Sequence, residues 1–367
     1  MAKFLGQLSA QQIAKKQTAQ QQLAAWPASH EFLCCFDVDG HLLDNMLAKQ
    51  IVVFHPHCMD VFGLRSIETW FRLHAEHHNL WSKNRGCDRH EAVSLTLGSL
   101  LRDPDLMPQL APEMETRLRK LKASLDGYIE HIRSTGGAYG FDSLHAYQRT
   151  HPEDPNLTGF CIWSKAVDLT FPFVTIPMHP FPRVPETLAY VSERADVLIV
   201  SKTPYSDICD WLERHDLLQY VTAVAGKEQG GKDEHICLAM GGEFDAKTGK
   251  VIKRGDNYPP EKVIMGGDGG GDLKAAGKNG AFFFPSAPGR EEQAWDEAID
   301  KVFVPFFEGR YADLEPARIE VFKAAMLAKG PWEESGYDHK AAYRRLQPKR
   351  KQLYRQLKPG GRLAVIP

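Results

Sequence analysis

The chain has 367 residues, of which 43% are apolar and 25% are charged, which is the composition of a globular protein long enough for two domains. A formal net charge of −2 gives no general attraction to nucleic acid or to a membrane surface, and we expect neither as a partner. Apolar runs stay well below about 18 residues, so the sequence predicts no transmembrane helix.

Cysteine usage points to a reducing compartment. The seven cysteines include no C-x-x-C pair, and an odd number without paired spacing argues against a disulfide framework and against a cysteine-ligated zinc site. The N-terminus lacks the apolar stretch of a secretory signal peptide. We therefore expect a cytoplasmic protein.

The first half of the chain is predicted to be helical apart from one strand. Residues 1–29 form a polar extension rich in Gln and Ala, and residues 31–37 form a short buried strand. Helices are then predicted over 46–179. Within them, one stretch repeats apolar residues at a spacing of three or four, which is typical of an amphipathic helix. Its apolar positions are Met114, Leu118, Leu121, Leu125, Ile129 and Ile132.

A proline-dense passage from Pro172 to Pro185 ends the helical region, because proline cannot continue a helix. Strands and helices alternate after it. The predicted strands include 195–201, 221–226 and 262–268, and a helix over 206–217 has Ser206 as its candidate N-cap.

Alternation of this kind predicts an α/β fold with a mostly parallel sheet. The predicted core domain is discontinuous, formed by 30–45 and 180–325, with 46–179 inserted as a helical domain. A basic tail follows over 326–367. From His339 onward it has nine Lys or Arg residues and no acid.

Acidic residues follow two of the predicted strands. Asp37 and Asp39 end the first strand, and Asp268 and Asp272 follow the strand at 262–268. Carboxylates brought together at one edge of a sheet would repel each other unless a cation lies between them. Oxygen ligands without nearby cysteine favour Mg²⁺ over zinc. Ser201 and a lysine at the ends of other strands suit the oxygens of a phosphoryl group.

A dinucleotide-binding loop is the alternative for the glycine-rich segment "MGGDGGGDLKAA", which follows a strand and opens a helix. The G-x-G-x-x-G spacing fits no frame of this segment. Asp268 and Asp272 would also direct negative charge at a pyrophosphate on the helix N-terminus. Both points favour the metal site.

The segments "FDVDG", "VLIVSKT", "GGKDEH" and "VIMGGDGGGD" together resemble the four motifs of the haloacid dehalogenase (HAD) superfamily, in order and in position on strands. The resemblance covers about 31–45 and 184–305. It implies a Rossmann-like HAD core, and the long insertion corresponds to a helical C1-type cap. The segments "EFLCCFDVDGHLLDNM", "RGCDRHEAV" and "PSAPGREEQAWDEAIDKVFVPFF" together resemble a sub-group of large-capped HAD proteins of unassigned substrate.

The resemblance also implies roles for individual residues. Asp37 would be the nucleophile, Asp39 the general acid and base, and Ser201 a phosphoryl-binding residue. Lys232 is favoured as the motif-three lysine, with Lys227 as the alternative. Mg²⁺ would be held by Asp37, the backbone carbonyl of Asp39 and Asp268, with Asp272 either a direct ligand or a partner of one.

Substrate contacts are expected from residues around these motifs and from the inserted domain. Gly40, His41 and Lys202 lie beside motif residues, and Arg85 and Arg89 are the cap residues expected to reach an anionic substrate. His41 departs from the family, which usually has threonine there. It is either a tolerated substitution, a contact to the leaving group, or the mark of a site that binds without turnover.

The expected function is Mg²⁺-dependent hydrolysis of a small phosphorylated metabolite. An acid at Asp39 favours phosphate-ester chemistry within the family. A phosphomutase and a non-catalytic protein that binds phosphorylated ligands remain alternatives, and the sequence leaves open whether the protein is a monomer or a homodimer.

His74, His77 and His78 share one face of a predicted helix, at a spacing from which a second metal site could be built. The H-E-x-x-H motif is absent, and an ordinary polar helix face is the alternative.

Overall fold

The computed structural model describes residues 23, 25, 28–170, 174–175, 178–246, 248–356 and 358–359. Most of the predicted N-terminal extension over residues 1–29 lies outside these ranges, as do 171–173 and 176–177 of the proline-dense passage. Contacts divide the chain into two units. The core unit consists of the described residues of Met1–Asp44 and His179–Met326, and the helical unit of those of Asn45–Met178 and Leu327–Pro367.

Strands and helices are numbered along the chain. The strands are β1 (Phe32–Phe36), β2 (Val174–Thr175), β3 (Ala195–Val200), β4 (Ala223–Ala225), β5 (Glu243–Asp245), β6 (Lys250–Lys253), β7 (Val263–Gly267), β8 (Phe282–Pro285) and β9 (Lys358–Pro359). The helices are α1 (Met46–Ala48), α2 (His55–Phe62), α3 (Glu68–Glu76), α4 (Arg89–Leu100), α5 (Pro112–Thr135), α6 (Phe141–Arg149), α7 (Pro155–Thr170), α8 (Val184–Ser192), α9 (Tyr205–Arg214), α10 (Lys232–Ala239), α11 (Gly270–Asn279), α12 (Glu291–Asp296), α13 (Val304–Phe307), α14 (Glu315–Ala325) and α15 (His339–Gln356).

The core unit contains a five-stranded sheet in the order β4-β3-β1-β7-β8, and every neighbouring pair in it is parallel. The central strands are apolar and buried; β3 and β7 are buried along their whole length, so both faces of the sheet are covered there. Because β3, β1 and β7 are neighbours and run parallel, their carboxyl ends lie side by side at one edge of the sheet. The predicted fold class, a parallel α/β core with an inserted helical domain, is confirmed.

The helical unit has its own core, to which the amphipathic helix α5 contributes its apolar face. Leu118, Leu121, Leu125, Ile129 and Ile132 are buried as their spacing predicts, and Met114 packs against the same cluster. Helix α1 continues through a π-helical segment, Lys49–Phe54, into α2, and a second π-helical segment, His77–Trp81, follows α3. None of the helices in the described ranges combines the length and the apolar character that crossing a bilayer requires.

The basic C-terminal segment belongs to the helical unit, whereas the sequence predicts a separate tail. Buried contacts in α15 explain the difference: Arg350 Nη2 donates to Glu76 Oε1 at 2.6 Å, and both side chains are buried. Part of the positive charge of this segment is thus paired with a buried carboxylate inside the helical unit.

The prediction that Ser206 is the N-cap of the helix at 206–217 is wrong. Helix α9 begins at Tyr205, and Pro204 occupies the N-cap position. The backbone N–H of Tyr205 donates to Glu228 Oε2 at 2.9 Å, so a carboxylate from a distant turn satisfies this helix end in place of a serine hydroxyl.

The start of β1 is held by a buried carboxylate on the neighbouring strand. Asp196 accepts hydrogen bonds from the backbone N–H and the hydroxyl of Ser29, from the N–H of His30 and from the hydroxyl of Tyr258. Burial alone would raise the pKa of Asp196, but these donors outweigh that effect and lower it. The carboxylate is therefore ionised in the fold.

We predict that Asp196→Asn lowers the free energy of unfolding by about 2 kcal/mol, because the amide would point N–H groups at existing donors. A lowered folded-state pKa means that the stabilisation is complete above about pH 4, the range of a free aspartate, and is lost as the pH falls through the folded-state value. Urea unfolding at pH 7 and pH 3 measures this, with the exposed Glu193→Gln as the control. Equal stability of the two variants at pH 7 would contradict the prediction.

Candidate active site

The candidate site lies at the carboxyl edge of the parallel sheet, where ligands bind in folds of this kind. Asp37 directly follows β1, Ser201 follows β3 and Asp268 follows β7. The register fixes their proximity: the backbone N–H of Asp37 donates to the carbonyl of Gly266 at 3.0 Å, and the N–H of Ser201 donates to that of Ala225 at 3.0 Å. The strand ends therefore bring together residues separated by more than 160 positions in sequence.

Three buried carboxylates meet there. Carboxylate oxygens of Asp37, Asp268 and Asp272 all lie within 4.8 Å of one another. Asp272 comes from the first turn of α11, where its Oδ2 accepts from the backbone N–H of Gly269 at 3.0 Å. The helix N-terminus thus orients one carboxylate towards the other two.

Lys232 is the positive charge among these carboxylates. Its Nζ lies 2.7 Å from Asp37 Oδ2 and 2.6 Å from Asp272 Oδ1. Burial opposes its charge, but Asp272 and Asp37 outweigh this and raise the pKa of Lys232, so the ammonium group stays protonated. Lys227, the alternative lysine, is exposed on a short turn. The geometry favours Lys232 for motif three.

Asp37 has a raised pKa. Burial is the main cause; Lys232 opposes it, whereas the Asp272 and Asp268 carboxylates add to the rise. With the three carboxylates ionised and Lys232 protonated, the cluster has a formal charge of −2. A divalent cation would balance this charge, and carboxylate oxygens are donors that Mg²⁺ prefers. The residues present fit the ion that the sequence predicts.

Asp39, two positions after Asp37, is partly exposed. Its Oδ2 accepts a hydrogen bond from the Thr203 hydroxyl at 3.0 Å, and the N–H of Thr203 donates to Ser201 Oγ at 3.1 Å. Thr203 therefore connects Asp39 with the Ser201 loop. It was not among the predicted site residues, although it stands in the segment "VLIVSKT"; Lys202 beside it is exposed.

His41 is fully buried in the core unit rather than placed at the surface of the site. Its Nδ1 lies 2.7 Å from Ser286 Oγ, and its ring packs against Phe36, Phe284 and Trp295. Burial is the main reason why its pKa is lowered, with a smaller contribution from the positive charge of a nearby lysine. A neutral, packed imidazole favours a tolerated substitution over contact with a leaving group.

Backbone geometry explains two glycines near His41. Gly40 has a φ of 77°, in the left-handed region that favours glycine, and its N–H donates to the Leu43 carbonyl as the chain turns. A Cβ on Gly266 would lie 2.3 Å from His41 Nε2. The space that His41 occupies therefore depends on a glycine in β7.

Arg85 and Arg89, the arginines predicted to reach the substrate, both make contacts within the helical unit. Arg85 is buried and its Nη1 donates to the Leu80 carbonyl at 2.8 Å. Arg89 donates to Asp168 Oδ1 and to Ser164 Oγ, each at 2.8 Å. Both guanidinium groups therefore make contacts inside the helical unit, and substrate binding by either arginine stays a prediction.

Solved structures similar to this chain include HAD-superfamily hydrolases. A haloacid dehalogenase-like family hydrolase from Streptococcus pneumoniae aligns over 72% of this chain and 90% of its own, at 13% identity and a TM-score of 0.35. A HAD-superfamily hydrolase of subfamily IA, variant 1, from Geobacter sulfurreducens PCA aligns over 70% and 87%, at 14% identity and a TM-score of 0.31.

A protein named as a predicted phosphoglycolate phosphatase, from Haemophilus somnus, aligns over 70% of this chain and 85% of its own, at 14% identity and a TM-score of 0.34. No family model matches the chain, and no curated protein matches it significantly.

We predict that Lys232→Met lowers the free energy of unfolding by about 3–5 kcal/mol in the presence of EDTA, because the buried carboxylates lose their counter-charge. Lys227→Met is the matched control, and we expect it to stay within about 0.5 kcal/mol of the wild type since Lys227 is exposed. Urea unfolding compares them. If both variants unfold at the same urea concentration, Lys232 does not compensate the carboxylates.

Proposed function

We propose that this protein is a magnesium-dependent phosphohydrolase of HAD type, which hydrolyses a small phosphate monoester through Asp37. The observation that carries the proposal is the buried cluster of Asp37, Asp268 and Asp272 around Lys232 at the carboxyl edge of the sheet. Such a net negative cluster is costly to bury unless it binds a cation, so its presence is better explained by function than by stability.

In the proposed mechanism, a carboxylate oxygen of Asp37 attacks phosphorus and the bond from phosphorus to the leaving oxygen breaks. Asp39 gives its proton to that leaving oxygen. A water molecule then attacks the phosphorus of the phospho-aspartyl group, and Asp39 takes the proton of the water. Inorganic phosphate leaves and the Asp37 carboxylate is restored.

The remaining residues of the site bind the phosphoryl group and the metal ion. Ser201 donates a hydrogen bond to a phosphoryl oxygen. The ammonium group of Lys232 stabilises negative charge first on Asp37 and then on the transferred phosphoryl group. Asp37, the carbonyl of Asp39 and Asp268 would hold the metal. Both Asp272 oxygens already accept hydrogen bonds, which supports a role in orienting Lys232. Mg²⁺, when bound, would neutralise negative charge on the carboxylates and on the phosphoryl group.

The proposed substrate is a small phosphorylated metabolite, and the proposed location is the cytoplasm. The seven cysteines, all of which lie among the described residues, form no disulfide bond, which supports a reducing compartment.

We predict that the purified protein releases phosphate from at least one member of a panel of phosphorylated metabolites when Mg²⁺ is present. EDTA should abolish release and excess Mg²⁺ should restore it. Asp37→Asn should lower kcat by about 10³-fold or more because no nucleophile remains, and Asp39→Asn by about 10²–10⁴-fold through loss of the proton transfer.

Asp44→Asn is the matched control, since Asp44 is an exposed acid seven residues from Asp37, and its activity should equal that of the wild type. Isomerisation of a sugar phosphate without net phosphate release would identify a mutase instead. Ligands that raise the melting temperature but are never turned over would identify a binding protein and overturn the hydrolase proposal.

Thr203→Val should lower kcat by about tenfold with little change in KM, because the isosteric side chain no longer holds Asp39, and one hydrogen bond to a charged group contributes about 1.5–3 kcal/mol. Steady-state kinetics measure this. Thr203→Ser keeps the hydroxyl and should restore most of kcat. Equal kcat for the valine and serine variants would show that Thr203 does not position Asp39.

A further inference from the structure

A second cluster of metal-ligating side chains lies inside the helical unit. His74 comes from α3, Asp103 from the turn after α4 and His339 from the start of α15. All three are buried, and one ligand atom of each lies within 4.8 Å of the other two. The fold has therefore collected two imidazoles and a carboxylate from positions as much as 265 residues apart.

Both imidazoles converge on one oxygen. His74 Nε2 and His339 Nε2 each lie 2.8 Å from Asp103 Oδ2. The other carboxylate oxygen, Oδ1, is held by the backbone N–H groups of Asp105 at 2.9 Å and Leu106 at 2.8 Å. The turn thus fixes the carboxylate so that Oδ2 faces the two rings.

Whether Nδ1, the second nitrogen of each ring, carries a proton distinguishes a hydrogen-bonded cluster from a metal site. If Nε2 of His339 carries the proton, its Nδ1 directs a lone pair at Asp105 Oδ2, 3.5 Å away, and this buried nitrogen has no hydrogen-bond partner among the described residues. If a metal takes Nε2, the proton lies on Nδ1 and faces that carboxylate.

The second ring nitrogen of His74 also faces an oxygen. Its Nδ1 lies 2.8 Å from Ser99 Oγ, to which it would donate once Nε2 is occupied by a metal. Ligating histidines commonly direct their other N–H at a carboxylate or another oxygen, which fixes the tautomer and the ring orientation. Trp332 also stacks on the His74 ring, with 3.5 Å between ring centroids, and restricts its rotation.

We propose that His74, Asp103 and His339 form a binding site for a transition-metal ion of the zinc type. Two imidazole nitrogens and one carboxylate oxygen are a donor set suited to zinc and unsuited to Mg²⁺. Ligands at about 2.0–2.1 Å from a tetrahedral ion lie about 3.3 Å from one another, so the 2.8 Å contacts need to open by about 0.5 Å. A water molecule would complete the coordination.

The site is separate in chemistry from the oxygen-only cluster of the core unit, and the proposal does not depend on the proposed phosphatase activity. Three protein ligands and a water molecule also occur in catalytic zinc sites, but the burial of all three ligands keeps substrates away from the ion, so we assign it a structural role. Bound metal ties the start of α15 to α3 and to the turn after α4, and so fastens the C-terminal segment to the rest of the helical unit.

The test is metal analysis of the untagged full-length protein, stripped with a chelator, loaded with excess Zn²⁺ and then dialysed. We expect one zinc ion per chain in the wild type, measured by mass spectrometry, and a melting temperature several degrees above that of the stripped protein. His339→Gln should bind no zinc and show no shift. Glutamine can still donate an N–H to Asp103, so this variant removes the ligand and keeps the hydrogen bond.

Two controls separate this site from others. His78→Gln changes a neighbouring histidine whose Nε2 contacts Ser99 Oγ at 2.9 Å and which is not a proposed ligand; it should keep the zinc. Asp37→Asn, in the core unit, should keep it as well. Loss of zinc in Asp37→Asn but not in His339→Gln would place the ion in the other cluster and overturn the proposal.

Wild-type protein loaded with Co²⁺ gives a measurement that needs no variant. Four-coordinate Co²⁺ with nitrogen and oxygen ligands should give intense visible absorption, and Zn²⁺ should displace it. A wild type that holds no zinc after loading, or a His339→Gln variant that holds as much as the wild type, would show that the cluster is a hydrogen-bonded contact alone.

Discussion

The contact of Lys232 with Asp37 and Asp272 is the interaction on which the candidate site depends. Without it, three buried carboxylates would stand at one edge of the sheet with no positive charge beside them, and at least one would take up a proton. With it, two negative charges remain to be balanced, which is the charge of a divalent cation. The lysine therefore opposes the rise that burial causes in the pKa of Asp37, and it also sets the charge that a bound ion has to balance.

Backbone geometry places that lysine. Between the end of β4 and the start of α10, the chain forms a short 3₁₀ turn, Lys227–Gln229, and then passes through Gly230 at a φ of 119°. The turn is closed by the Gln229 side chain, which accepts from the Gly226 N–H. The glycine-rich turn carries the chain from the strand end to the first residue of the helix, which is why Lys232 rather than Lys227 reaches the carboxylates.

Much of this arrangement could be predicted from the sequence, because apolar runs that stop at polar residues reveal buried strands and their ends. Asp37, Ser201 and Asp268 were located in this way. His41 could not be, since its environment depends on Ser286, 245 residues further along the chain. The structure also differs from the prediction that His74, His77 and His78 share one helix face. The helix becomes π-helical at His77, and His74 lies beside Asp103 and His339 instead. The spacing of residues along one helix cannot predict contacts with residues that lie far away in the sequence, such as His339.

The helical unit is built from two stretches of chain that lie on either side of most of the core unit in sequence. A ribosome releases Asn45–Met178 early, then the strands β3 to β8, and only afterwards the residues that complete the helical unit. Glu76 and Asp103 thus remain without Arg350 and His339 while the whole core is being made. During synthesis the helical unit therefore cannot form these two buried contacts until the strands of the core unit have been made.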